Sequence, residues 1–169
     1  MRFLYHPLLG TLQMNISPET LDILEFDKVR AQISSRTVSS IGREEIDSLT
    51  PLDDLELIKG RMGPVLETMD LIGFDDPLSI SYIPDIRPAL RASSVSGTIL
   101  TIAELLEVNE TLKASRRLLD YLSKRQAKYP KLWVLVSGLN EQPWLEEALN
   151  RCLDHTTETV KDSASAELR

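Results

Sequence analysis

One run, starting at Thr101, restricts the fold of this 169-residue chain more than any other. Thr101 and Glu104 have the spacing of a capping box, in which the threonine hydroxyl takes the backbone N–H of the third helical residue and the glutamate takes the N–H of the cap. Ile102, Leu105, Leu106, Leu112, Leu119 and Leu122 then recur at helical spacing. The pattern predicts a helix from Ile102 to about Lys128, roughly 40 Å long at ~1.5 Å per residue, with Pro130 beyond its end. A stripe of that length has to be covered by other elements.

The remaining punctuation is also helical. Ser17-Pro18-Glu19 is a helix start, with serine as cap, proline at the first position and an acid in the first turn. Leu21, Leu24, Val29 and Ile33 continue it, with a break and fresh cap at Phe26-Asp27. Pro143 starts another helix through Leu153, apolar along Trp144, Leu145, Ala148, Leu149 and Cys152. Pro84–Arg91 reads as a short helix and Ser93–Gly97 as a turn. Leu132–Val136 suits strand or helix on its own residues, and His155–Lys161, rich in Thr and Val, suits a short extended piece.

Thr37–Val65 reads as two helices meeting at Leu49-Thr50-Pro51, and as the corner around which the chain is organised. Thr50 is the expected cap, with Pro51 at the first helical position and Asp53 and Asp54 in the first turn. Gly42, with Ser39 three residues before it, makes a notch of small side chains inside the first helix and predicts a close-packed neighbour. Gly60 and Gly63-Pro64 predict a kink or two short helices ending near Ile72-Gly73.

Composition excludes more than it selects. A net charge of −7 opposes a free-standing nucleic-acid binder. The single cysteine, Cys152, cannot close an internal disulfide, and no apolar run approaches the ~20 residues of a membrane span. A cytoplasmic protein with no membrane contact is expected.

Several stretches carry a resemblance. Thr37, Gly42-Arg43, Leu49, Pro51-Leu52, Asp54, Ile58, Arg61 and Val65 stand in the order and spacing of the helical core of MutS-type proteins. Leu24–Val29, Ile83–Arg87, Leu112–Leu118 and Lys161–Arg169 are similar to the opening, the middle and the lever-helix entry of one bacterial branch. That branch lacks the mismatch-reading domain and begins directly with the core. The resemblance implies an all-α bundle with one short extended segment near the C-terminus, and it tips Leu132–Val136 to helix. Residues 1–13 match nothing and read as an unstructured or non-native extension; residues 14–169 read as one core domain, truncated where the lever helix begins. The interruption at Gly63-Pro64 departs from the family, where a smoother helix is expected.

Intact members resemble homodimeric clamp ATPases, with an endonuclease-like domain, that embrace double-stranded or branched DNA or a ribosome and act in mismatch-repair-related restraint of recombination or in ribosome rescue. The resemblance implies that this part couples ATPase to clamp and does no chemistry. ATP and Mg are expected only in the intact protein, whose missing C-terminal domains would be the partners here. The rival reading is a stand-alone helical adaptor that binds another protein.

The residues agree that chemistry is absent. The sequence has no G-x-x-x-x-G-K-[ST] phosphate loop, and His6 and His155 are its two histidines. His155 beside Asp154 and Glu158 reads as an exposed turn, and Cys152 as a core thiol. The one basic concentration, Lys113, Arg116, Arg117, Lys124, Arg125 and Lys128, is a candidate for phosphate or interdomain contacts. The plainer reading is a solvated face balanced by Glu104, Glu107, Glu110 and Asp120. Asp85 and Arg87, with Gly42 and Pro51, are structural candidates, Arg87 because a guanidinium there can tie down a loop through carboxylates.

Overall fold

The computed structural model describes residues 16–76 and 82–165. Their regular structure is eight helices and one small hairpin, so the fold is mainly α. The first three helices form a layer of their own: α1 (Pro18–Ile23), capped by the Ser17 hydroxyl, α2 (Phe26–Ser34) and α3 (Ser40–Asp47). Between α1 and α2 the chain reverses at Leu24-Glu25, with Glu25 in the left-handed region at φ 51°. Helix α2 packs against both of its neighbours. Ser34 is the one buried side chain on these three helices, so little apolar surface anchors them.

The other five helices are α4 (Leu55–Phe74), α5 (Arg87–Ser93), α6 (Ile102–Ser123), α7 (Pro130–Val136) and α8 (Pro143–Cys152). Strands β1 (Leu153–Asp154) and β2 (Thr159–Val160) pair antiparallel, Leu153 opposite Val160; β2 lies in the segment expected to be extended, while residues 155–158 turn. Two apolar cores lie along α6. Leu122 and its neighbours Leu118 and Leu119 meet Leu71 of α4, Tyr129, and Leu132, Trp133 and Val136 of α7. Nearer the other end, Val108, Ile102, Leu105 and Leu112 meet Ala89 of α5, Leu145 and Leu149 of α8 and Leu153 of β1. The capping box is formed: Thr101 Oγ1 accepts from Glu104 N, and Glu104 Oε2 accepts from Thr101 N at 2.7 Å.

Several sequence expectations need correction. Helix α6 stops at Ser123, and residues 124–128 form turns, so Pro130 begins α7 in addition to closing what precedes it. Helix α4 is one unbroken helix of 20 residues with Pro64 inside it. It is held from outside: Gly63 packs beneath Lys131, Leu71 is buried against α6 and α7, and Glu67 accepts the Lys131 and Leu132 backbone N–H groups. Thr68 Oγ1 also donates to the Pro64 carbonyl at 2.8 Å. The cap of α4 is Asp54, not Thr50: its Oδ1 accepts from Glu56 N and Leu57 N, leaving Pro51 in the non-helical approach.

Gly42 lies in the first turn of α3, where the cap Ser39 Oγ accepts its N–H at 3.0 Å. A Cβ there would meet Ser39 Oγ and Thr37 Cβ, so the notch is filled by the helix's own cap and not by a crossing helix. The element shared by the two cores is α6, which displaces the Thr37–Val65 corner as the organising feature. Residues 1–15, which include the expected extension 1–13, residues 77–81 and residues 166–169 lie outside the described residues.

Candidate functional site

The six basic residues singled out on and after α6 are used differently. Arg116 reaches α8, its Nε and Nη2 donating to the two Glu146 carboxylate oxygens at 3.1 and 2.8 Å. Glu146 is buried, and that pair holds its carboxyl below the ordinary range. Lys113 pairs with Glu110 at 3.1 Å. Arg125 stacks on the Tyr121 ring at 3.8 Å and lies 3.4 Å from Asp75. Lys128 reaches Asp75 at 3.2 Å and Asp70 at 3.7 Å. Arg117 and Lys124 make no ion pair among the described residues, and both are exposed. Four of the six cations are thus paired with carboxylates of this chain, and two make no ion pair among the described residues.

Asp75 sits where α4 ends. It accepts from Asp76 N, Lys128 and the Tyr129 hydroxyl, and the backbone N–H leads in holding its carboxyl down to about 2. Tyr129, itself buried, also faces Asp70 at 3.0 Å, and the Tyr121 hydroxyl donates to the Asp76 carbonyl. This cluster locks the end of α4 to the turns after α6. Its carboxylates are saturated by cations and hydroxyls of the same chain.

A second polar cluster ties the hairpin to α6. Asn109 is fully buried; its Nδ2 donates to Asn150 Oδ1 at 2.8 Å and lies 2.9 Å from His155 Nε2. His155 Nε2 also lies 3.2 Å from Asn150 Oδ1, and its Nδ1 lies 3.6 Å from Glu110. Lys161 Nζ donates to the Asn150 carbonyl. His155 is thus taken up in packing against Asn109 and Asn150, and among the described residues no set of three or more His, Cys, Asp or Glu could hold a metal.

Arg87 is the most connected cation. Its Nε and Nη2 donate to Asp85 at 2.8 and 2.6 Å, and Nη1 and Nη2 donate to Glu44 of α3 at 2.9 and 2.7 Å. Asp85 also accepts from Arg87 N, in place of a side-chain cap for α5. The guanidinium holds the Asp85 carboxyl down to about 2, and draws that of Glu44 below its ordinary value. Cys152 is half-buried against the second core.

Sequence reading missed one surface. Leu55, Ile58, Met62, Val65, Met69 and Ile72 recur along α4 at alternating steps of three and four, and all but Ile58 are exposed. The spacing was there to be found, but Gly60 and Gly63-Pro64 argued against counting it as one helix. Among the described residues no helix is long and apolar enough to cross a membrane.

These arrangements define a class: a helical scaffold whose polar groups are spent on its own joints and whose open features are surfaces. Comparison with known proteins agrees. The chain is homologous to the N-terminal fifth of proteins named endonuclease MutS2. It is 35% identical over 157 residues to that of Geobacillus kaustophilus, covering 91% of this chain and 20% of the relative. The Pelotomaculum thermopropionicum protein is 35% identical over 150 residues, 89% of this chain and 19% of its own. That of Alkaliphilus oremlandii is 28% identical over 156 residues, 91% and 20% respectively. The chain spans about a fifth of the length of the curated relatives it matches. No family model matches it.

Proposed function

We propose that this chain is a mechanical core. In a protein of its relatives' size it couples a C-terminal ATPase to a clamp that embraces double-stranded or branched DNA, or a ribosome, in a cytoplasmic homodimer. ATP and Mg belong to other domains of that assembly, and this chain does no chemistry. The observation that carries the reading is α6, a single 22-residue helix with a separate apolar core at each end. A displacement at one core has a rigid path to the other. Arg117 and Lys124 are the cations left for phosphate or interdomain contact.

The test replaces the homologous fifth of the Geobacillus kaustophilus relative with this chain. ATP turnover with and without DNA is then compared in the chimaera and in its Leu122→Ala variant, at a temperature where dichroism shows both folded. The reading expects DNA-dependent turnover in the chimaera and loss of the dependence, with basal turnover kept, in the variant. Unaltered DNA dependence in the variant overturns it, as would micromolar Mg-ATP binding with hydrolysis by the isolated chain. A second reading, a helical adaptor for another protein, is favoured by the exposed stripe on α4. It would gain if the chimaera showed no coupling.

A further inference from the structure

We propose that residues 16–62 swing as one arm on the Gly63-Pro64 joint inside α4, and that the Arg87–Glu44 pair is the latch holding the arm shut. This does not rest on the coupling reading above. By its surroundings α4 is two pieces. From Leu55 to Met62 every residue but Ile58 is exposed, so its first two turns carry little packing. From Gly63 onward the helix is anchored. Gly63 lies under the Lys131 side chain, Glu67 takes the Lys131 and Leu132 N–H groups, and Leu71 enters the first core.

Where the two pieces meet, the helix ladder is at its weakest. Pro64 has no N–H to give the Gly60 carbonyl, so one rung is missing, and its ring crowds that same carbonyl. Helices bend where proline removes a rung. Gly60 adds backbone freedom, with nothing within 4 Å of the place its Cβ would take. The other connection, residues 48–54, is tied down: Leu49, Pro51 and Leu52 are half-buried, and Asp54 takes the N–H groups of Glu56 and Leu57. The arm therefore carries the start of α4 with it.

The latch is slight. Among the described residues, and apart from the α4 ladder itself, the hydrogen bonds from Arg87 to the two Glu44 oxygens are the ones that join residues 16–62 to the rest. The two side chains are 42% and 59% exposed, and pairs so exposed hold weakly and yield to salt. Beside them α3 and Tyr82 enclose an open groove of about 490 Å³, where a fixed interface would be filled.

The test is pulsed electron spin resonance on nitroxide pairs in the whole chain, in a Cys152→Ser background. The labels go at Gln32→Cys on α2, Glu56→Cys in the first turn of α4 and Glu147→Cys on α8, all exposed positions. In Arg87→Met, and with Arg87 kept at about 1 M salt, the 32–147 and 56–147 separations should each gain a second population. The 32–56 separation should stay single. Adding Gly60→Ala and Pro64→Ala to Arg87→Met restores the missing rung and should return 56–147 to one distance. A single 32–147 distance in Arg87→Met overturns the latch. A second 32–56 distance with 56–147 unchanged would put the pivot at residues 48–54 and overturn the joint. A second 56–147 population that survives the restored rung overturns it too. So would loss of helical dichroism in Arg87→Met, since the arm would then melt and not swing.

Discussion

Arg87 at the start of α5 holds Glu44 of α3 through two parallel hydrogen bonds, 2.9 and 2.7 Å, across 43 residues of sequence. Among the described residues these are the hydrogen bonds that join α1–α3 to the rest of the molecule, and no buried apolar side chain on those helices supplements them. Arg87→Met should therefore free the first layer without melting the rest. Amide exchange in α2 and α3 should quicken at least ~10-fold, while α6 near Leu122 keeps its protection. Equal acceleration everywhere would mean that the clasp supports the whole fold.

The same clasp sets part of the acid limit. Asp85 and Asp75 titrate near 2 in the folded chain, against ~3.9 in an unfolded one. As pH falls, the unfolded state takes up these protons first. The stability they contribute is present in full above about pH 4 and is lost as pH falls toward 2. Urea midpoints measured between pH 6 and 2 should drop across that window. In Arg87→Met the drop should be shallower, because Asp85 then loses the chief cause of its lowered value. An unchanged slope would refute the assignment.

Two glycines separate helix propensity from packing. A Cβ on Gly60 meets nothing within 4 Å, so Gly60→Ala should raise stability by about 0.5–1 kcal/mol. A Cβ on Gly42 would lie 3.0 Å from Ser39 Oγ, the atom that caps α3. Gly42→Ala should gain clearly less, since the cap must shift to admit it. Denaturant midpoints for the two variants decide this, and a larger gain at Gly42 would show that the cap yields freely.

What could be read from the sequence follows a physical divide. Capping chemistry and apolar spacing are local, so Ser17, Thr101–Glu104 and the helix through Leu149 were legible. Thr159 and Val160 lie in the piece expected to be extended, but residues 155–158 form the turn before them, and the partner strand, Leu153–Asp154, reads in the sequence as the end of a helix. Pro64 misled because its cost is local, whereas its compensation comes from residues 131 and 132 on another helix. The Thr50-Pro51 start misled for a nearer reason: Asp54 competes for the same role and can take two N–H groups. The basic flank was legible as a cluster, but pairing with residues as distant as Asp75 and Glu146 was not.

That pairing predicts how the chain meets nucleic acid. If Arg117 and Lys124 are the cations of that flank left to contact phosphate, duplex DNA affinity through it should be weak. The logarithm of the binding constant should then fall with log salt at a slope near −2; six free cations would give about −5. Titration at four salt concentrations measures the slope. A steep slope would require the pairs with Glu110, Glu146 and Asp75 to open on binding.

The two cores on α6 make a final prediction about cooperativity. Trp133 lies against the first core, while Trp144 stands on α8, whose other face builds the second. These are the two tryptophans of the chain, so Trp133→Phe and Trp144→Phe each leave one reporter. Were the cores independent, the reporters would show separate unfolding midpoints. Because Val108 and Leu122 belong to one unbroken helix, loss of either core exposes surface the other needs to hold α6 in place. The midpoints should coincide. Leu122→Ala, at a site 3% exposed, should cost about 2–4 kcal/mol. It should move the Trp144 transition as far as the Trp133 one. If only the Trp133 signal moved, α6 would be two helices in energetic terms, and a rigid path between its ends would have no basis.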